Sequence, residues 1–324
     1  MAPAAAADNY SHCYGGGSDD DDQAQTVCVM DASGRLGSAL VHTLLLRGYA
    51  VHAAVQKLGK SQQSLEGSWG NHKKLRVFQT DLFDYQTIME ALKGCTALFY
   101  SFEPPSDHPN YDELMADVEV MAAHNALEAC AQTPTVHKVV FTSSATAVLW
   151  KEDRSSSSLL INESSWSNIN LCRKFKLWHA LSKTLAEKTA WALAMDRDIN
   201  MVTVNGGLLL SSDLTIANPY LKGAAEMYDD GVLVTVDLKH VVDAHVCVFE
   251  DVSSFGRYLC FNHVVNSHDE VSKLARVLLS PSGQFSLPPP GMVEKGVQQR
   301  ISNKKLHEHM VGFGLIEDKP TKSP

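Results

Sequence analysis

The sequence lacks a long apolar run, a cysteine framework and an excess of basic residues, and each absence excludes a class of protein. None of its 324 residues belongs to an uninterrupted apolar stretch of about 18 or more, so we expect no membrane span. Seven cysteines, an odd number without a Cys-x-x-Cys pair, indicate reduced thiols rather than disulfides or a zinc framework. The formal net charge of −9 argues against nucleic acid as a partner.

The amino-terminal segment also lacks the features of a targeting signal. Residues 1–24 have neither the basic and apolar stretches of a secretory signal nor the arginines of a transit peptide. A glycine-serine sequence and four consecutive aspartates, Asp19 to Asp22, instead predict a disordered acidic leader. We therefore expect a cytoplasmic protein.

From Thr26 onward, short apolar runs alternate with stretches of helical periodicity. This alternation is typical of a doubly wound parallel sheet. Strands are predicted at 27–30, 50–55, 75–78, 97–100, 139–142, 201–204 and 258–261, and helices at 36–47, 87–92, 111–131, 177–195, 214–228, 239–249, 268–279 and 301–310. We expect a Rossmann-type α/β fold, with a nucleotide-binding domain over residues 25–206 and a smaller carboxy-terminal substrate-binding lobe, residues 207–324, interleaved with it.

A glycine-containing turn joins the first predicted strand to the first predicted helix. Residues 30–37 place Gly34 and Gly37 at the second and third positions of a Gly-x-x-Gly-x-x-Gly pattern, with Asp31 at the first. Small residues there let backbone N–H groups and the positive helix end meet a pyrophosphate. A carboxylate at the first position repels that group unless it points away. The predicted dinucleotide site comprises Asp31, Ser33, Gly34, Arg35, Leu36 and Gly37.

The second and third strands bear on which dinucleotide binds. Gln56 and Lys57 end the second strand, and the absence of an acid that would bind the ribose hydroxyls favours NADP(H). A solvated loop charge accounts for Lys57 equally well. Asp81 and Leu82 follow the third strand and are placed to bind the adenine, although a helix N-cap is an equal alternative for Asp81.

Several short sequences, weak singly, occur together in a familiar order. They are the glycine turn, Asp81-Leu82 and residues 141–144, 162–167, 181–188, 236–237, 243–246 and 256–258. In this order the chain resembles the extended short-chain dehydrogenase/reductases, and particularly the plant cinnamoyl-CoA reductase and dihydroflavonol reductase group. The resemblance implies NADP(H) and hydride transfer to a phenylpropanoid-like CoA thioester, aldehyde or ketone. It also implies cofactor contacts from Ser101, Lys183, Gly206 and Leu208.

That family uses a serine, a tyrosine and a lysine, the last two four residues apart on one helix face. The serine polarises the carbonyl, the tyrosine delivers the proton, and the lysine holds the nicotinamide ribose. Ser144 matches the serine, with Ser143 as the neighbouring alternative, and Lys183 matches the lysine. His179 stands at the position of the tyrosine.

Three interpretations of His179 remain open, besides a histidine without any role. In the first, His179 donates the proton itself, although Lys183 should depress its pKa. In the second, the loss of the tyrosine leaves a catalytically impaired protein that binds NADP(H) as a regulator or scaffold. In the third, another tyrosine, such as Tyr100 or Tyr220, reaches the site from elsewhere. No metal is predicted, because the histidine pairs lack ligand spacing, and the sequence does not define an oligomeric state.

Overall fold

The computed structural model describes residues 25–56, 73–104, 111–152, 160–278 and 297–316. The strands in these ranges are β1 Thr26–Val29, β2 Ala50–Val55, β3 Leu75–Gln79, β4 Ala97–Tyr100, β5 Lys138–Ser144, β6 Met201–Gly206, β7 Leu208–Leu209, β8 Val234–Val236, β9 Gly256–Cys260 and β10 His263–Val264. The helices are α1 Arg35–Leu46, α2 Tyr85–Leu92, α3 Glu113–Ala131, α4 Thr146–Leu149, α5 Ile169–Lys174, α6 Trp178–Asp196, α7 Ala224–Asp229, α8 Leu238–Glu250, α9 His268–Leu278 and α10 Lys304–Gly312.

Seven of the strands form one parallel sheet. Their order is β3-β2-β1-β4-β5-β6-β9. The chain winds outward from β1 in one direction and from β4 in the other, which leaves a crevice at the carboxyl ends of these two strands. The predicted Rossmann-type sheet is therefore confirmed, and every predicted strand forms with bounds that differ by at most two residues.

The sheet is covered by helices on both faces, as its apolar sequence requires. Along β1, Val27 and Val29 join one apolar cluster, together with residues of α1 and α8. Cys28 joins the opposite cluster, with residues of α2, α3 and α6. Because successive side chains of a strand point to opposite faces, a continuous apolar run supplies both cores at once.

A small second sheet, not predicted from the sequence, lies beyond residue 206. Its strand order is β10-β8-β7. The continuous helix predicted over 214–228 is wrong, since the chain forms a short 3-10 turn at Pro219–Leu221 and then α7. Gly223 separates the two with a left-handed φ of +83°, and a Cβ there would lie 2.4 Å from the Trp150 ring. The tight contact with Trp150 thus requires glycine at position 223, where the helical periodicity predicted an uninterrupted helix.

The chain beyond residue 206 also returns to the large sheet. β9 pairs with β6, and α8 packs against α1. The domain boundary at residue 206 stays a prediction, and these two elements show that the two predicted units share the large sheet. Among the described helices, none combines the length and hydropathy that crossing a membrane requires.

Candidate active site

The turn between β1 and α1 has the close packing that a dinucleotide site needs. Gly34 is the N-cap of α1, and no side chain caps the N–H groups of the first turn. A Cβ on Gly37 would lie 2.2 Å from the carbonyl oxygen of Asp31, so only glycine fits there. Ser33 and Arg35 line a cleft of about 2530 Å³ that runs along α1. The side chain of Leu36, in contrast, packs against the apolar cluster behind the turn.

Asp31 occupies the position where the pattern expects a first glycine. Its φ is +56°, in the left-handed region that favours glycine. A Cβ on Gly34 would lie 2.5 Å from the Asp31 carboxyl, so this carboxyl covers the glycine turn. Burial raises the pKa of Asp31 well above its ordinary value, Glu103 raises it further, and Lys183 opposes both. A carboxyl that holds its proton in this way can donate a hydrogen bond to a phosphate instead of repelling it.

The predicted adenine and ribose residues follow β2 and β3. Gln56 is half-buried at the end of β2, and Lys57 lies outside the described residues. Asp81 accepts a hydrogen bond from the backbone N–H of Phe83 at 2.9 Å. The N-cap of α2 is Asp84, so the alternative role of Asp81 as a helix cap is wrong.

The remaining predicted cofactor residues divide between the sheet edge and the core. Ser101 donates a hydrogen bond to the carbonyl oxygen of Met30 at 3.1 Å and so joins the ends of β4 and β1. Gly206 ends β6 opposite the last residue of β5. The side chains of Leu82 and Leu208 are buried in apolar clusters. These two leucines can therefore offer a cofactor little more than their backbone.

The end of β5 decides between the two candidate serines. Ser143 donates to Glu187 at 2.8 Å and faces the buried core. Ser144 lies on the other face, where Thr146 donates to its oxygen at 3.1 Å. The same Thr146 hydroxyl is 3.1 Å from Nδ1 of His179. Ser144 is therefore the serine linked to His179 through Thr146, whereas Ser143 binds Glu187, two turns further along the same helix.

His179 is half-buried between aromatic rings. The centroid of its ring lies 4.9 Å from that of Tyr111, edge to face, and 6.1 Å from that of Tyr220. Burial lowers the pKa of His179 well below its ordinary value, and the charge of Lys183 lowers it further. The imidazole is thus neutral at pH 7, which disfavours the interpretation that it donates the proton as an imidazolium.

Lys183 forms a buried ion pair that was not predicted from the sequence. Its Nζ is 2.7 Å from Oε1 of Glu119, and the two side chains are 10% and 2% exposed. The ammonium also donates to the carbonyl oxygen of Phe102 at 3.3 Å. The other carboxylate oxygen of Glu119 accepts from Ser182 and, at 3.4 Å, from Tyr111.

A signal for Glu119 was present in the sequence. This carboxylate shares the buried side of α3 with Met115 and Ala122, and a charge among apolar neighbours needs a buried partner. The structure thus joins Ser144, His179 and Lys183 in one region, with Thr146, Tyr111 and Glu119 as unpredicted members. None of Ser144, His179 and Lys183 lines the cleft along α1. Within the described parts of the chain, no group of three or more His, Cys, Asp or Glu side chains is placed to bind a metal.

Comparison of sequences identifies relatives over most of the chain. Residues 28–205 match the 3-beta hydroxysteroid dehydrogenase/isomerase family. Tetraketide alpha-pyrone reductase 1 of Arabidopsis thaliana is 34% identical over 85% of this chain and 86% of its own length. Cinnamoyl-CoA reductase 1 of Petunia hybrida is 33% identical over 78% and 77%, and dihydroflavonol 4-reductase of Zea mays is 32% identical over 89% and 83%.

Solved structures show the same architecture. Vestitone reductase from alfalfa superposes with a TM-score of 0.64 at 25% identity, covering 88% of this chain and 91% of that one. A yeast methylglyoxal/isovaleraldehyde reductase, solved with NADPH, gives a TM-score of 0.70 at 19% identity, covering 89% and 93%.

Proposed function

The chain belongs to the 3-beta hydroxysteroid dehydrogenase/isomerase family, and from this premise we propose that it is an NADP(H)-dependent carbonyl reductase. Its relatives in the extended short-chain dehydrogenase/reductases are named as reductases. The substrate class is a phenylpropanoid-like CoA thioester, aldehyde or ketone, in keeping with the names of the cinnamoyl-CoA and dihydroflavonol reductases. The single observation that carries the proposal is the connection of Ser144 to His179, one helical turn before Lys183, at the carboxyl ends of the strands.

The residues of the glycine turn fit a dinucleotide. The uncapped N-terminus of α1 offers backbone N–H groups to the pyrophosphate, and the tight approach at Gly37 keeps the helix close to the turn. The protonated form of Asp31 is compatible with a phosphate beside it. Arg35, at the start of α1, forms an ion pair with Asp213, which lines the same cleft, and Gln56 ends β2 without an acid.

Each residue of the site then has a definite task. The bound reduced nicotinamide supplies a hydride. Ser144 holds the substrate oxygen by a hydrogen bond, and Thr146 and the neutral His179 fix the orientation of that serine. Lys183, paired with Glu119, provides the positive end of a buried dipole beside the ribose position. Tyr220 donates to the carbonyl oxygen of Val234 and closes the pocket as a wall.

The proposal is tested by NADPH binding and NADPH consumption. We expect saturable binding in a fluorescence titration and oxidation of NADPH with hydroxycinnamoyl-CoA thioesters or hydroxycinnamaldehydes. Ser144→Ala should lower kcat by about 10²–10³-fold, as the loss of a donor to a developing oxyanion does. Ser143→Ala is the matched control, because its hydroxyl faces Glu187 instead of the pocket. Equal turnover in both variants would contradict the proposal.

A second function, a binding or regulatory protein without turnover, is favoured by Asp31 and His179. Both replace residues that the chemistry of the family uses, and the ammonium of Lys183 is already paired with Glu119. This alternative predicts NADPH binding without consumption, and a clear gain of turnover in His179→Tyr. Absence of NADPH binding would exclude both functions that use the cofactor.

A further inference from the structure

A tyrosine that the sequence pattern did not single out lies beside His179. Tyr111 immediately precedes α3, and its ring meets the His179 ring edge to face at 4.9 Å. Its hydroxyl donates to Oε2 of Glu119 at 3.4 Å, while Oε1 of the same carboxylate is 2.7 Å from Nζ of Lys183. We infer that Tyr111 is the proton donor of the reductase, in place of the phenol that is absent at position 179. The inference rests on the proposed reductase function.

The local sequence fixes Tyr111 in this place. Asp112 caps α3 by accepting a hydrogen bond from the backbone N–H of Met115 at 2.8 Å, which sets the backbone at the start of the helix. Glu119 lies two turns further along α3 and binds the Tyr111 hydroxyl from the same helix. The phenol of Tyr111 is therefore held between its hydroxyl partner on α3 and the His179 ring on α6.

The two tyrosines proposed from the sequence are placed differently. Tyr220 donates its hydroxyl to the carbonyl oxygen of Val234 at 3.2 Å. Tyr100 is fully buried and its ring stacks on Phe141 at 4.8 Å. Tyr111, in contrast, is half-buried and keeps some contact with solvent. Among these three phenols, Tyr111 alone combines contact with His179, a hydrogen-bonded link to Lys183 and partial exposure.

The proton transfer balances with Tyr111 as the acid. The carbonyl carbon receives the hydride that reduced nicotinamide supplies, and the electron pair of the C=O π bond moves to oxygen. The O–H bond of Tyr111 breaks, its proton forms the O–H bond of the alcohol, and the phenolate left behind takes a proton from water. Burial, together with Glu119 and Glu103, raises the pKa of Tyr111 well above its ordinary value. The phenol is thus protonated at neutral pH and has a proton to give.

The inference is tested by removing the hydroxyl while keeping the ring. Tyr111→Phe should lower kcat by about 10²–10⁴-fold, the contribution of a positioned acid, and should leave NADPH affinity unchanged. Tyr85→Phe is the matched control, because Tyr85 is a half-buried tyrosine of α2 whose hydroxyl faces the carbonyl oxygen of Glu128. The double variant Tyr111→Phe/His179→Tyr should regain part of the turnover, since it returns a phenol to the family position.

Fluorine NMR of fluorotyrosine-labelled wild-type protein tests the inference without requiring turnover. Variants are needed only to assign the resonances. With oxidised NADP bound, a hydroxycinnamaldehyde should shift the Tyr111 resonance and leave that of Tyr85 in place.

Wild-type kcat in Tyr111→Phe, or an unshifted Tyr111 resonance in a protein that does reduce the aldehyde, would overturn the inference and leave the reductase function standing. NADPH binding without any turnover in wild type would overturn both.

Discussion

Asp31 combines a left-handed backbone with a buried carboxyl over the glycine turn, and both features cost stability. The left-handed conformation costs a non-glycine residue about 1–2 kcal/mol, and the greater freedom of glycine in the unfolded chain returns about 0.4–1 kcal/mol. Asp198 has nearly the same φ, +55°, but is exposed in the turn after α6. Asp198→Gly therefore measures the backbone effect alone, with an expected stabilisation of about 0.5–1 kcal/mol.

Asp31→Gly should stabilise the protein more than Asp198→Gly does, because it also removes the desolvated carboxyl. The extra stabilisation is roughly 1–3 kcal/mol at neutral pH, the usual cost of burying such a polar group. Because the pKa of Asp31 is raised in the folded protein, this carboxyl contributes to folding stability below its unfolded pKa of about 3.9. That contribution is lost as pH rises. The advantage of Asp31→Gly over wild type should thus grow with pH and level off above the folded pKa. Urea denaturation between pH 4 and pH 9 measures it.

Measurements of NADPH affinity test the same account of Asp31 in a second way. Asp31→Asn keeps a residue type that tolerates the left-handed backbone and removes the charge. Above the folded pKa of Asp31, where the wild-type carboxyl is ionised, Asp31→Asn should bind NADPH about tenfold more tightly or better, as a relieved repulsion of about 1.4 kcal/mol would produce. The affinity of wild type should fall with rising pH, and that of the variant should fall less. Equal affinities at every pH, or no difference in stability between Asp31→Gly and Asp198→Gly, would refute this account of the turn.

Two further changes probe the buried charges. Glu119→Gln leaves the ammonium of Lys183 buried without its carboxylate and should lower the free energy of unfolding by about 3–5 kcal/mol at pH 7, as measured in urea. Glu128→Gln on the same helix breaks a partly exposed pair with Arg197 and should cost less than about 1 kcal/mol, so similar losses would argue against a special role for the buried pair. For His179, whose pKa is lowered in the fold, stability should decline as pH falls below the unfolded value of about 6.5, by up to about 1.4 kcal/mol per pH unit. His179→Phe should show a shallower acid decline in thermal denaturation, and an unchanged slope would contradict the assigned neutral imidazole.

The large sheet follows from the sequence because each of its strands carries its own apolar run. Residues 97–100 and 201–204 are buried on both faces, so the apolar composition of each segment is enough to predict its burial. The second sheet is different. β7 and β10 contain two residues each, which is too short for any period to emerge, and they form only where the chain folds back beside β8. Likewise, the helix predicted over 214–228 fails at Gly223, whose requirement comes from Trp150, far away in the sequence.

In the candidate site, too, some contacts follow from the local sequence and others depend on how distant segments pack. Spacing along one helix related His179 to Lys183, and the resemblance to the family left two neighbouring serines, whose side chains lie on opposite faces of the strand. Glu119 lies on another helix and Tyr111 just before it, and their approach to Lys183 depends on how that helix packs. No motif marks such a pair. A buried acid on an apolar helix face is a hint of a partner cation, but it does not say which cation.

The carboxyl groups of the site constrain what can bind there. A dinucleotide brings several negative charges to a region that holds Asp31, Glu103 and Glu119. Burial gives Asp31 a raised pKa and so reduces its negative charge, and the charge of Glu119 is compensated by Lys183 at 2.7 Å. Glu103, in the wall of the cleft, raises the pKa of Asp31 and thereby helps to keep that carboxyl protonated. One acid therefore lowers the repulsion that another would exert on a phosphate. Replacing Glu103 alone would ionise Asp31 more readily, so the two carboxyls must be considered together in any account of cofactor affinity.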